Sequence, residues 1–109
     1  MPIPRTLKTH LDREHVHYDV LPHSQMFRAA AVAQTLHVSE QDMAKVVIVK
    51  VKDRFVTTVL PATVKVDVQR LRKIFGTHRV RLATEEEISH LFPDCEVGAM
   101  PPFGSFYNL

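Results

Sequence analysis

Glycine is scarce in this chain: three residues in 109, two of them in one short stretch near the end. The rest of the backbone therefore has few positions free to enter left-handed or strained conformations. Cysteine is scarcer still. The single Cys95 excludes an internal disulfide framework and an all-cysteine metal site, and it suits a reducing, cytosolic compartment. No apolar run approaches the roughly 20 residues of a membrane span, and M-P-I-P-R-T at the start lacks the apolar core of a signal peptide. Net charge is also small. A formal +2 with seven histidines permits a polyanionic partner without requiring one, because nucleic-acid binding depends on a local basic patch. With 45% apolar and 24% charged residues, the composition is that of an ordered globular domain. The expectation is one soluble intracellular domain spanning residues 1–109.

Periodicity orders the elements. Residues 4–14 read as a helix with Pro4 in the first turn and Leu7 and Leu11 on one face. Residues 16–21 alternate as a half-buried strand, and residues 26–36 form an alanine-rich helix with a narrow apolar face. Ser39 opens a short turn with Asp42 three residues on. Residues 45–51 (K-V-V-I-V-K-V) are the strongest strand, β-branched and nearly continuous, hence central and buried on both faces. Asp53 and Arg54 turn the chain into an antiparallel partner over 55–60, which Val64 and Val66 extend past Pro61. Residues 68–75 read as a helix with Val68, Leu71, Ile74 and Phe75 inward, Arg70, Arg72 and Lys73 outward, and Gly76 as its stop. A short strand at Val80 and Leu82 precedes a helix through Leu91, opened by a Thr84–Glu87 capping box. Residues 106–109 look like the start of a further strand. The predicted class is α+β: a mixed, mainly antiparallel and partly barrel-like sheet with helices packed around it.

The most distinctive stretch is G-A-M-P-P-F-G, residues 98–104. Pro101 and Pro102 fix φ and remove donors, while Gly98 and Gly104 allow close approach. Composition leaves two readings open: a stiff loop covering the core, or a loop presenting backbone groups to a polar ligand.

In order and spacing, the chain resembles the YbaK-type aminoacyl-tRNA deacylases, a family that includes the editing module inserted in bacterial prolyl-tRNA synthetases. The resemblance rests on the alanine-bearing helix followed by His37-Val38-Ser39, the strand A-K-V-V-I-V-K, the strand ending Leu60-Pro61, the basic helix, and G-x-x-P-P-F-G. It implies hydrolysis of the ester between a wrong small amino acid, such as alanine or cysteine, and the terminal ribose of a tRNA, with tRNA-Pro the expected body. It implies neither metal nor organic cofactor. Lys45 matches the functional strand lysine, and Gly98 with Pro102 the G-x-x-x-P element that holds the aminoacyl end. The catalytic set expected is Lys45, Gly98, Ala99 and Met100, the loop's backbone N–H groups facing the carbonyl as charge develops. Pro101, Pro102, Phe103, Gly104, Met26, Phe27, Ala30 and His23 are expected to line the substrate pocket. The partners implied are the acceptor end of aminoacyl-tRNA and an aminoacyl-tRNA synthetase. The family continues past this point with another strand, a Gly-x-His-like segment and a last helix, so this chain reads as lacking that part.

Other readings compete. Lys45 can be a lysine snorkelling from a strand mouth. His10, His15 and His17 are solvent-facing on a strand, or they chelate zinc, although the spacing matches no zinc motif. His23-Ser24 lacks a nucleophile elbow, and Cys95 lacks a base at any motif spacing. Arg70, Arg72 and Lys73, joined by His78, Arg79 and Arg81, are either a tRNA-backbone patch or a solvated face. The alternative function is a non-catalytic tRNA- or nucleotide-binding module of the same fold.

Overall fold

A run of β-branched residues has to bury both of its faces, and it sits at the centre of the computed structural model, which describes residues 3–21, 32–34, 36, 39–95 and 99–109. Strand β1 (Ala44–Val51) pairs antiparallel with β2 (Arg54–Pro61) through the two-residue turn Lys52-Asp53. On its other side it pairs antiparallel with β3 (Val80–Leu82), so the order is β2-β1-β3. The fold is α+β, with an antiparallel three-stranded sheet and helices packed on it. Among the described residues the sheet is open rather than barrel-like, and neither pairing is parallel.

Alternation along β1 divides the core in two. Ile48 and Val46 face Phe92, Met100, Ile88, Leu91, Tyr107 and Leu109. Val47, Val49 and Val51 face Val80, Val56, Val66, Val68 and Leu71. The first cluster is built by the end of the chain, the second by the middle.

Helix α1 spans Arg5–Arg13 behind a buried Pro4. Helix α2 (Val68–Phe75) is capped by Asp67, whose carboxylate accepts from the Arg70 N–H at 3.1 Å, and it stops at Gly76 with φ 66°. Val68 and Leu71 face the core as predicted, but Ile74 is 69% exposed and Phe75 is also exposed. The sheet beneath α2 narrows to the three residues of β3, too short to cover the helix's last turn. Helix α3 (Glu85–Leu91) carries the full capping box: Glu87 N–H donates to Thr84 Oγ1 at 3.2 Å, and Thr84 N–H donates to Glu87 Oε1 at 2.9 Å.

Arg81 adds a fork onto Glu87, with Nη1 at 2.8 Å and Nη2 at 3.0 Å from its two oxygens. These bonds, Arg81's first and then those from Thr84, hold the Glu87 carboxyl down at about 2 from its ordinary 4.5. A folded-state value below the unfolded one stabilises the fold above about pH 4.5, and that contribution disappears as pH falls towards 2. Glu87→Gln keeps an amide able to cap yet abolishes the fork. It is expected to flatten the acid limb of the unfolding free energy between pH 4.5 and 2 in a denaturant series. An unchanged limb would dismiss the pairing as a stability term.

Four further expectations fail in the structure. Residues 16–21 form no strand: His15 turns left-handed (φ 56°), Val16 N–H returns to Leu11 O, and Val16, Val20 and Leu21 are exposed. An alternating pattern becomes a strand only beside a ladder partner, and none lies there among the described residues. Val64 and Val66 do not extend the sheet, because a turn closes after β2 with Val64 N–H on Pro61 O. Val66 instead packs into the second cluster. Residues Gly104–Tyr107 form a 3₁₀ turn rather than opening a strand, with Asn108 left-handed at φ 61°. The fourth is Arg72, expected outward, which turns inward as described below. Of the helix predicted over 26–36, residues 32–34 are helical with Val32 and Ala33 buried, and most of the remainder lies outside the described residues. Among the described residues no helix is long and apolar enough to cross a membrane.

Candidate functional site

The loop ending in Pro101-Pro102-Phe103-Gly104 is fastened at four points. Met100 is 8% exposed and packs with Ile48 and Phe92, and Pro101 beside it is buried. Met100 therefore serves as the loop's anchor in the core. The ring of Phe103 stacks on Phe106 at 5.2 Å and meets His10 of α1 at 5.3 Å, while His10 also meets Phe106 at 5.0 Å. That places His10 in an aromatic packing cluster, and with no strand over 16–21 the histidine spacing loses its chelating geometry. No group of three His, Cys, Asp or Glu side chains suited to a metal occurs among the described residues.

The third fastening is a short polar chain. Thr6 Oγ1 donates to Asp94 Oδ2 at 3.4 Å, Cys95 Sγ to Asp94 Oδ1 at 3.5 Å, and Cys95 Sγ lies 3.3 Å from Tyr107 Oη. Burial opposes ionisation of Asp94, but hydrogen bonds from Tyr107, Cys95 and Thr6 outweigh it and lower its pKa. Burial pushes the Cys95 thiol up, so it remains protonated at neutral pH. Burial and the Cys95 and Asp94 contacts likewise raise the Tyr107 phenol. Cys95 is a packing and hydrogen-bonding residue here, and a poor nucleophile.

The fourth point is contact without a side chain. A Cβ on Gly104 would stand 2.7 Å from Thr57 Oγ1 and 3.2 Å from Leu109 Cβ. The glycine is present because the loop lies directly on β2. Gly104→Ala is expected to cost about 1–3 kcal/mol by overpacking, read from urea or thermal unfolding. Thr57→Ala in the same chain should return part of that loss by removing Oγ1. If the two losses simply add, the contact is not what limits the position. Thr57 Oγ1 is itself buried with no hydrogen-bond partner among the described residues.

Lys45 stands second in β1, half-buried, opposite Leu60 of β2. Alternation gives it the face of Val47 and Val49, whereas Met100 and Gly104 lie over the face of Ile48 and Thr57. The sheet thus separates Lys45 from the described part of the loop. Ala99 is half-buried and Pro102 exposed. Gly98, His23, Met26, Phe27 and Ala30 lie outside the described residues.

Of the basic helix residues, Arg70 and Lys73 are exposed, but Arg72 is not an outward charge. Its Nη2 donates to Val80 O at 3.3 Å, and its Nε is buried without a partner among the described residues. Arg72 is tied to the α2–β3 junction and drops out of the expected patch. A more basic surface lies nearby. Lys50, Lys52, His78, Arg79, Val80 and Arg81 line an open cleft of about 330 Å³. Sequence reading does not single out Lys50 or Lys52, and it places Lys50 in a strand buried on both faces. The available signal was K-V-K flowing into a two-residue turn, with H-R-V-R downstream.

The comparisons with known proteins bear on both features. A family model described as an aminoacyl-tRNA editing domain matches residues 23–109, a range that includes Lys45 and the whole 98–104 loop. The crystal structure of hypothetical protein APE2540 superposes with a TM-score of 0.78 at 22% identity, covering 92% of this chain and 67% of that one. At that identity the likeness speaks for the fold. No curated protein matches this chain.

Proposed function

The chain belongs to the aminoacyl-tRNA editing domain family, and on that premise we propose that it is a trans-editing deacylase that hydrolyses the ester of a mischarged aminoacyl-tRNA. The amino acid is small, alanine or cysteine, the tRNA body is tRNA-Pro, and no metal takes part. The single observation that carries the reading is the family match over residues 23–109.

An aminoacyl ester is already activated, so orientation and stabilisation of developing charge supply most of what hydrolysis needs. Water adds to the carbonyl carbon, negative charge gathers on the carbonyl oxygen, and the C–O bond to the ribose breaks. The ribose oxygen leaves with a proton, and the amino acid leaves as the free acid. In this reading the backbone N–H groups of Gly98 and Ala99 are the donors to the oxyanion. Pro101 and Pro102 contribute no donors but remove reorganisation from the loop, and the fastenings at Met100, Phe103 and Gly104 support them. Lys45 offers three donors on a compact charge and grips a phosphate near the 3′ end. Standing near the end of β1, on the face away from Gly104, it meets a different part of the substrate than the loop does. Met26, Phe27, Ala30 and His23 are assigned by the family resemblance to limiting amino-acid size.

The test is deacylation of alanyl-, cysteinyl- and seryl-tRNA on matched and mismatched bodies, with EDTA present, comparing the protein with Lys45→Ala. Loss of one ester above the spontaneous rate, dependent on Lys45, supports the reading and names the amino acid. No turnover of any ester by folded protein sinks it and leaves a binding module of the same fold.

A further inference from the structure

Helix α1 lies outside the residues matched to the editing family, which are 23–109, yet it touches both flanks of the Gly–Pro loop. The loop is closed at its base. Cys95 precedes it, Tyr107 follows it, and Cys95 Sγ lies 3.3 Å from Tyr107 Oη. Helix α1 bridges that closure. Thr6 Oγ1 donates to Asp94 at 3.4 Å on one flank, and the His10 ring packs on Phe103 and Phe106 on the other.

Thr6 and His10 are four residues apart, so they share one face of the helix. One rigid element therefore sets the separation between the two ends of the loop. The end of α1 is itself closed, by Val16 N–H on Leu11 O and by Tyr18 Oη donating to Asp12 at 3.0 Å. The helix adds little to the core: no residue of Arg5–Arg13 is buried, and Thr6 and Asp94 are both exposed. An exposed hydrogen bond and ring contacts can open without unfolding the sheet.

We propose that α1 is a clamp across the base of the loop, and that Thr6 and His10 are positioning residues. They act through Asp94 and Phe103 rather than on the substrate. The catalytic consequence rests on the editing reading; the clamp itself rests on these contacts. Hydrolysis of an activated ester depends on donors already in place, so a loop free to shift loses turnover before it loses binding.

The test uses the full chain carrying Thr6→Val, His10→Ala or both. Valine matches threonine in shape and helix propensity, and alanine is a better helix former than histidine, so α1 itself is not weakened. Cys95 is the only cysteine and lies at the clamped base, so its rate of reaction with an aromatic disulfide reagent reports loop opening without turnover. The double variant is expected to react about 10-fold faster, the equivalent of roughly one hydrogen bond. Its kcat for the edited ester should fall about 10-fold with KM within about twofold, and its melting temperature should move by no more than about 3 °C. His10→Phe keeps a ring on Phe103 and Phe106 and should restore both rates to near native. Lys8→Ala, an exposed position of α1 that makes neither contact, should change none of them.

Native thiol and deacylation rates in the double variant would overturn the proposal. So would a loss of activity accompanied by a melting temperature lowered beyond that range, which would make α1 part of the fold rather than a positioning element. His10→Phe as impaired as His10→Ala would overturn it too, because the ring contact would not be what matters. If the native protein deacylates no ester, the editing reading fails and the thiol rates alone decide the clamp. Faster reaction in the double variant would then sustain it, and an unchanged rate would remove it.

Discussion

Lys45→Ala is expected to lower kcat/KM for the edited ester by about 10²-fold, the scale of losing one positioned donor to a charged group, while leaving the fold intact. The two halves of this expectation have different origins. Lys45 is half-buried in the second position of β1, opposite Leu60, and it belongs to neither buried cluster. Substitutions away from cores and networks usually stay within about 0.5 kcal/mol of the native stability. An effect on turnover without one on melting would therefore locate the loss in substrate binding or chemistry. Lys45→Arg should recover little of it, since a planar fork cannot replace a compact ammonium at a single oxygen. If Lys45→Ala deacylates at the native rate, the residue is a strand-mouth lysine facing solvent, and the functional role assigned to it is wrong.

Phe92→Ala is expected to be the most damaging single truncation for stability, at about 3–5 kcal/mol. Phe92 is 1% exposed, the largest fully buried side chain together with Val49. It closes α3, its N–H bonding Ile88 O at 2.9 Å, and its ring lies 4.5 Å from that of Tyr107. Ile48 of the sheet and Met100 of the loop meet on it. Domains of this size have about 5–15 kcal/mol in total, so the variant would be marginal, its melting point lower by at least roughly 12 °C. The loop should loosen with it, because Met100 and Tyr107 lose their shared neighbour. Faster proteolysis within residues 99–109, ahead of global unfolding, is the accompanying observation to look for. A change of only a degree or two would mean that this cluster does not hold the domain together.

Phe92 also shows where sequence reading stops. A phenylalanine just before Pro93 looks like the residue after a helix, and nothing in its neighbours marks it as the centre of a cluster. What was legible was local. The run K-V-V-I-V-K-V became β1 because β-branched residues need a pleated, doubly buried place. Thr84 and Glu87 formed their box, and Gly76 took its left-handed cap, because those motifs satisfy orphan groups within one turn of chain. The Gly–Pro loop was likewise visible from composition as a stiff segment.

Pairing and sidedness were not legible. Residues 16–21 have a strand's alternation, yet a strand needs a partner edge, which alternation cannot provide. Ile74 and Phe75 have a helix's inward spacing, but a three-residue β3 leaves nothing for them to cover. Arg72 was indistinguishable from Arg70 in a basic helix until Val80 O accepted its guanidinium. Lys50 and Lys52 became part of a cleft only when the antiparallel register set Arg81 opposite Lys50 and the Lys52 N–H bonded Arg79 O, both far along the chain. The central strands, the helix caps and the family resemblance could be read from the chain alone, since each depends on residues within a few positions or on their order. Which face each side chain serves, and which charges share a cleft, was decided by the tertiary structure, because register and sheet width depend on contacts between residues far apart in the chain.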